Sequence, residues 1–227
     1  MEVIRKAHNI AKRTLIQQTT KSGFRVLDVG CGFGGDLQKW NHVDNIKIDM
    51  CDPSVESIDN AKIRAQNLGM TNVRFYVGDI SKCPKFKYDI ICYNFSMHYI
   101  FQSHKLFFST INEIRLKLKK GGKLIGCIPD SEKILMMTPL RDNLGNYFIR
   151  NTEQTGYGNF GEEIFVFLTD TPYYETGAKP EPIAYKDLLI THLEKNNIML
   201  DTWTDLIPNT EHSLTKLYSQ FIFVNNK

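Results

Sequence analysis

The stretch Val26-Leu27-Asp28-Val29-Gly30-Cys31-Gly32-Phe33-Gly34-Gly35 holds the residue types from which a nucleotide-type ligand site is built. A short apolar run that contains an acid and empties into clustered glycines reads as a buried strand turning sharply beneath a ligand. Without Cβ atoms, Gly30 and Gly32 can adopt positive φ and bring their N–H groups against a cofactor at the start of the following helix. Gly30, Gly32 and Gly35 satisfy GxGxxG spacing, and Asp49 and Asp52 lie about the right distance downstream for a ribose, so a nicotinamide dinucleotide is one candidate ligand. Asp28 favours a different one. A carboxylate inside the strand, two residues before the first glycine, suits a cofactor with an ammonium group, which S-adenosylmethionine has and the nicotinamide dinucleotides lack.

In an open α/β sheet the ligand sits beyond the carboxyl ends of the central strands. The further strand candidates end in Asp52, in Gly78-Asp79-Ile80 and in Asn94-Phe95-Ser96-Met97-His98-Tyr99. Asp52 is suited to accept hydrogen bonds from both ribose hydroxyls, and Asp79 from the exocyclic amine of adenine. Acids at successive strand ends favour an adenosyl ligand.

The elements that must position these residues follow from apolar periodicity. Strands are expected at 24–29, 46–51, 73–77, 88–93 and 123–128, with helices at 55–68 and 103–119, the second stopped by Gly121-Gly122. Another helix leads the chain to about residue 18. Residues 143–182, rich in Gly, Asn, Tyr and Pro around a strand-like 164–168, read as an excursion over a site. A helix with Tyr185, Leu188, Leu189, His192 and Leu193 on its inner face precedes strands at 199–204 and 217–224, a pair suited to an antiparallel edge. The expected fold class is α/β: a seven-stranded, mostly parallel sheet with an antiparallel last strand and helices on both faces. One domain, 1–227, is expected, with an insertion around 140–183.

Composition narrows the class further. The chain has 227 residues, 42% of them hydrophobic, enough for one sizeable core. A charged N-terminus and the absence of a membrane-length apolar run point to an intracellular, soluble protein with no membrane partner, cytoplasmic ahead of nuclear. Five scattered cysteines without a CxxC pair, and histidines without ligand spacing, give no metal site and no disulfide framework. The net charge of +3 is too small to imply nucleic acid, but its distribution is uneven. Residues 1–25 hold six basic residues against one acid, and residues 115–123 hold five and none. The first group is the better candidate for a polyanion; the second reads partly as the complement of a helix C-terminus.

The block Asn94-Phe95-Ser96-Met97-His98-Tyr99-Ile100-Phe101 resembles the messenger RNA cap guanine-N7 methyltransferases, which have a similar Gln-Phe-Ser-Met-His-Tyr-Ala-Phe after the fourth strand. Gly-Gly-Asp-Leu at 34–37, Glu56-Ser57-Ile58 with Ala61, Gly121-Gly122, the Asn9-x-x-Lys12 pattern and Tyr218 also look like that family, which includes cellular enzymes and the methyltransferase domains of capping enzymes of large DNA viruses. The resemblance implies a class I S-adenosylmethionine-dependent methyltransferase fold. It implies that Lys12, Asp28, Gly30, Gly32, Asp52, Asp79, Ile80, Asn94 and Phe95 surround S-adenosylmethionine, with Lys12 on its carboxylate. On the cap side it implies Asn9, His98, Tyr99, Tyr218 and, within Lys-Pro-Glu-Pro, Glu181. The implied substrate is RNA with a GpppN end, and other capping-enzyme domains or subunits are implied partners. No residue is assigned as general base, because guanine N7 carries a lone pair and no proton.

Two positions depart from the family pattern. Phe33 stands where many members have a phosphate-directed Lys, and Asn94 where Gln is usual. Phosphate contacts would then fall to Arg64 or to the basic leading helix. The segment that members carry ahead of that helix is missing, as expected of a domain from a longer capping protein or of a compact viral version. The alternatives at this point are a class I methyltransferase acting on a small molecule or protein and a noncatalytic RNA-binding or stimulatory capping subunit. A nicotinamide enzyme is disfavoured by Asp28.

Overall fold

The computed structural model describes residues 2–151, 160–169 and 172–227. Its strands are β1 (Arg25–Val29), β2 (Lys47–Asp52), β3 (Val73–Val77), β4 (Tyr88–Asn94), β5 (Leu118–Pro129), β6 (Leu140–Arg141), β7 (Tyr147–Asn151), β8 (Glu163–Leu168), β9 (Lys179–Pro182), β10 (Ile198–Asp205) and β11 (Tyr218–Asn225). The helices are α1 (Glu2–Thr19), α2 (Leu37–Trp40), α3 (Val55–Asn67), α4 (His104–Lys117), α5 (Ser131–Met137), α6 (Lys186–Glu194) and α7 (Ser213–Lys216).

The main sheet runs in the order β10-β11-β5-β4-β1-β2-β3. All its pairings are parallel except those of β11, which is antiparallel to both β5 and β10. This is the expected seven-stranded sheet, with the last strand inserted between β5 and the edge strand β10. Val26, Leu27, Ile90, Ile91, Leu124 and Ile125 are all fully buried. Both faces of the central strands are therefore covered, which is why they read as continuous apolar runs rather than alternating ones. One core cluster takes Leu15 and Ile16 of α1, Ala65 of α3 and Trp40 of α2; the other takes Phe107, Ile111 and Ile114 of α4 and Leu189 and Leu193 of α6. Ser54 and Ser103 cap α3 and α4, their side chains accepting from Ser57 N–H and Leu106 N–H. No described helix is long and apolar enough to cross a membrane.

Two expectations are corrected. Gly121-Gly122 do not stop α4: it ends at Lys117, Leu118 is already extended (φ −74, ψ 127), and both glycines lie inside β5. Gly122 is needed there for close approach, since a Cβ would stand 2.8 Å from Lys119 O and 3.0 Å from Tyr88 O. The insertion holds more than one strand-like run. Leu140–Arg141, Tyr147–Asn151, Glu163–Leu168 and Lys179–Pro182 form a second, antiparallel sheet in the order β6-β7-β8-β9. Its edge strand β9, Lys-Pro-Glu-Pro, carries two prolines that hide it from any propensity reading. Residues 152–159 and 170–171 of the excursion lie outside the described residues.

Gly126 marks the tightest approach in the main sheet. A Cβ there would overlap the Tyr93 carbonyl and stand 2.7 Å from Phe221 Cζ, both in fully packed strands. Gly126→Ala is expected to lower unfolding free energy by about 3 kcal/mol, read from chemical denaturation.

Candidate functional site

The carboxyl edge of the main sheet is built first by the loop after β1. Gly30 and Gly32 have φ of +71 and +51. Ser96 Oγ donates to Val29 O at 2.6 Å, and its hydroxyl would lie 2.8 Å from a Cβ on Gly30, so glycine is required at that position. The N–H groups of Gly30 and Cys31 donate to Cys51 O, which clips the loop to β2. Over Gly32 and Gly35 the space is open: a Cβ at either would meet nothing within 4 Å. Asp52, at the end of β2, accepts Gly32 N–H on Oδ2 and Ser54 N–H on Oδ1, each at 2.9 Å. Each oxygen keeps a lone pair for a further donor. Asp79, exposed at the end of β3, receives Ser81 N–H and Oγ–H on Oδ1 alone, and Ile80 beside it is buried.

Beneath the glycine loop lies a buried charge cluster. Asp36 Oδ1 is 2.7 Å from both Lys12 Nζ and Lys39 Nζ, and Asn94 Nδ2 donates to Asp36 Oδ2 at 2.7 Å. Burial works to protonate Asp36, but the two lysines outweigh it and hold the carboxyl below its ordinary range. Burial likewise works to discharge Lys12, and Asp36 overrides it, raising the lysine's pKa. Asp28, 2% exposed, accepts from Trp40 Nε1 at 2.8 Å. Burial first, and then the neighbouring Asp36, push its carboxyl up to about 7. Asn94 Oδ1 is buried with no partner among the described residues.

Two aromatic groups flank the end of β4. Phe95, held at φ +58, stacks on His8 at 5.6 Å and meets Tyr218 edge-on at 5.1 Å, while His8 meets Tyr218 at 5.3 Å. His8 Nε2 is 3.0 Å from Thr215 Oγ1, and burial with the Lys12 charge lowers its pKa to about 4, leaving a neutral ring. The second group joins the two sheets. His98 Nε2 lies 3.3 Å from Glu181 Oε2, and the hydroxyls of Tyr99 and Tyr174 donate to Glu181 Oε1. Glu181 is 7% exposed, yet His98 and the two tyrosines overcome the effect of burial and keep its pKa below the usual value. Its charge reaches Tyr218, where it acts with burial to raise the phenol's pKa.

The structure thus brings Lys12, Asp28, Gly30, Gly32, Asp52, Asn94 and Phe95 to one edge, with Asp79 and Ile80 at the neighbouring strand end. It sets His98, Tyr99 and Glu181 in one contact group. Asn9 is half-buried on α1, and among the described residues no ring contact or hydrogen bond joins it to that group; His8, one residue earlier, faces Phe95 and Tyr218 instead. Phe33 and Arg64 are exposed. Sequence reasoning missed His8, Asp36, Trp40 and Tyr174. Asp36 had a signal, its place in Gly-Gly-Asp-Leu, while the other three are contacts made only by folding. All five cysteines are free, and among the described residues no cluster of His, Cys, Asp or Glu is placed to hold a metal ion.

Strand order and the glycine loop together define a class I S-adenosylmethionine-dependent methyltransferase fold. A crystal structure of such a methyltransferase from Clostridium acetobutylicum superposes with a TM-score of 0.65 over 98% of this chain and 92% of that one, at 18% identity. Residues 2–186 match the model of the mRNA (guanine-N(7))-methyltransferase domain, and the chain belongs to that family. It is 32% identical over 187 residues to an mRNA cap guanine-N(7) methyltransferase of Cryptococcus neoformans, covering 74% of this chain and 26% of that protein. A Schizosaccharomyces pombe protein of the same description is 30% identical over 200 residues, 75% of this chain and 55% of its own length. The chain therefore spans between about a quarter and about half of these relatives.

The raised carboxyl of Asp28 makes stability fall with pH. Unfolding lets a group with a pKa of about 7 return to 3.8, so between those values the folded state binds the extra proton and stability declines as pH rises. Asp28→Asn keeps an acceptor for Trp40 and removes the titration. The melting temperature of the variant minus that of the parent should grow from pH 5 to pH 8, by differential scanning calorimetry.

Proposed function

We propose that this chain transfers a methyl group from S-adenosylmethionine to N7 of the cap guanine of GpppRNA. The observation that carries the reading is the buried, ionised Glu181, delivered by the second sheet to His98 and Tyr99 beyond β4. Tyr99, at 3.4 Å, is a long contact on Oε1, and once it yields, each oxygen of the carboxylate has one site open, enough to accept from both N1–H and N2–H of a guanine edge.

The residues present fit the cofactor. Asn94 Oδ1 is a buried acceptor without a partner, the space over Gly32 and Gly35 is open, and Asp52 retains lone pairs for two hydroxyls. With Asp28 protonated below about pH 7, the Lys12–Lys39–Asp36 cluster carries one surplus positive charge, which suits the cofactor's carboxylate at Lys12. Above that pH Asp28 offers a carboxylate to its ammonium. Gly30, Phe95, Asp79 and Ile80 complete the adenosyl side. Bound S-adenosylmethionine supplies an electrophilic methyl on a sulfonium centre.

The chain's own work is alignment. The nucleophilic nitrogen carries no proton, so no residue acts as general base. Holding the two reactants in line contributes about 7–11 kcal/mol of barrier reduction. Glu181 fixes the purine edge and, being negative, favours the positive charge that develops on the ring. His98, Tyr99 and Tyr174 hold that carboxylate. Tyr218 offers an aromatic surface worth about 1–3 kcal/mol if a base stacks on it. The second sheet, within an insertion of one 1–227 domain, covers the cap side. Asn9, half-buried on α1 beside His8, is assigned to the cap side with Tyr218.

The deciding assay supplies GpppN-capped RNA with labelled methyl donor and looks for label in N7-methylguanosine after digestion. Label elsewhere, or transfer only to a small molecule or protein, would replace the cap reading, and absence of cofactor binding by calorimetry would replace the enzyme. Glu181→Ala and the shape-preserving Glu181→Gln should each lower kcat/KM for capped RNA about 10²-fold while leaving cofactor affinity unchanged.

A further inference from the structure

The two basic segments of the sequence, far apart in the chain, meet at one place. At the amino-terminal edge of the main sheet, opposite the site described above, a pocket of about 240 Å³ is lined by Gln18 at the end of α1, Lys21 just after it, and Lys119, Lys120, Gly121 and Lys123 at the start of β5. Its only acid is Asp89, which is already engaged by Lys119 Nζ at 2.8 Å and by Arg25 N–H at 3.0 Å. Among the described residues no carboxylate pairs with Lys21, Lys120 or Lys123. The pocket therefore concentrates three unneutralised ammonium groups around a glycine turn with Gly121 at φ +70. Such a setting takes a phosphate.

The fold also connects this pocket to the catalytic edge. Helix α1 passes His8 and Lys12 beside Phe95 and ends at Thr19 in the pocket wall. From Lys12 to Gln18 is about 9 Å along the helix axis. Lys6 and Arg13, seven residues apart and so on one face, are exposed on the same helix. Strand β4, seven residues long, sets the two ends of the sheet about 20 Å apart.

We propose that the pocket binds a backbone phosphate of the RNA body downstream of the cap, with the transcript running along α1 between the two ends of the sheet. This rests on the cap reading for the placement of the 5′ end. RNA is favoured over an acidic protein segment because exposed Lys6 and Arg13 on α1 add positive charge beyond the pocket, on the helix that also reaches Phe95. Phosphate contact here gives affinity for RNA without sequence preference.

The test compares a GpppG dinucleotide with a capped transcript of about 12 nucleotides, using the parent and the double variant Lys21→Glu/Lys120→Glu. Both side chains are exposed, and unchanged melting temperature confirms folding; the Lys21→Gln/Lys120→Gln variant gives a second, milder charge change. The expected result is a KM for the long transcript raised about tenfold, a salt dependence reduced by about one unit of slope per lysine, and unchanged kcat and KM for the dinucleotide. Equal KM values for the long transcript in parent and variants would overturn the proposal. Fluorescence anisotropy with an uncapped 12-mer reads the pocket without catalysis: loss of binding in the variants supports it even if cap methylation fails, and undiminished binding, as expected of a pocket for an acidic protein, refutes it.

Discussion

One buried carboxylate organises the carboxyl edge of this protein. Asp36 holds Lys12 from α1, Lys39 from α2 and Asn94 from β4, each at 2.7 Å. Taking these charges out of water is costly, and their mutual attraction repays that cost only while the geometry holds. Loss of the carboxylate would leave two ammonium groups stranded beneath the glycine loop. The leading helix, the loop and the fourth strand are thus fixed in relation to one another by electrostatics rather than by packing alone. The open space over Gly32 and Gly35 depends on that fixation, as does the orientation of Phe95 at the strand end.

The second dependence is between the two sheets. Glu181 comes from a strand with two prolines at the edge of a small antiparallel sheet; Tyr174, just ahead of that strand, is one partner, and His98 and Tyr99 come from the segment after β4. Neither half makes the arrangement alone. Its ionised state is a product of assembly: burial opposes the charge, and His98, Tyr174 and Tyr99 restore it. On the cofactor side the balance tips the other way, since Asp28 keeps its proton up to about pH 7. The two sheets therefore each hold a buried acid, Asp28 in β1 shifted toward the protonated form and Glu181 in β9 toward the ionised one, as set by what each touches.

The central strands were legible in the sequence because a strand covered on both faces has no polar alternation, and β1, β4 and β5 show none. Helices α3 and α4 were legible from three- and four-residue spacing. Strand β9 was not, because two prolines contradict strand propensity, and β7 was masked by the surrounding Gly and Asn. Gly121-Gly122 misled because the same dipeptide that commonly ends a helix here gives β5 a positive-φ residue at Gly121 and a close approach to Tyr88 at Gly122. Much of the candidate site was legible because strand-end residues carry polar side chains that an apolar core cannot explain. His8 was not, since a histidine on an amphipathic helix gives no sign that Phe95 and Tyr218, residues far along the chain, will close around it.

The position of β11 also governs when the site can exist. This strand lies inside the sheet, between β5 and β10, and its first residue is Tyr218. A chain emerging from the ribosome can assemble β1 through β5 and dock its early helices, but it leaves the β5 edge bare until nearly all of residues 2–225 are available. His8 and Phe95 must wait for their third ring, and a half-made chain presents an unpaired hydrogen-bonding edge to its surroundings. Maturation of the ring cluster is thereby tied to the emergence of β11, so products truncated ahead of Tyr218 carry the glycine loop but not the finished ring cluster.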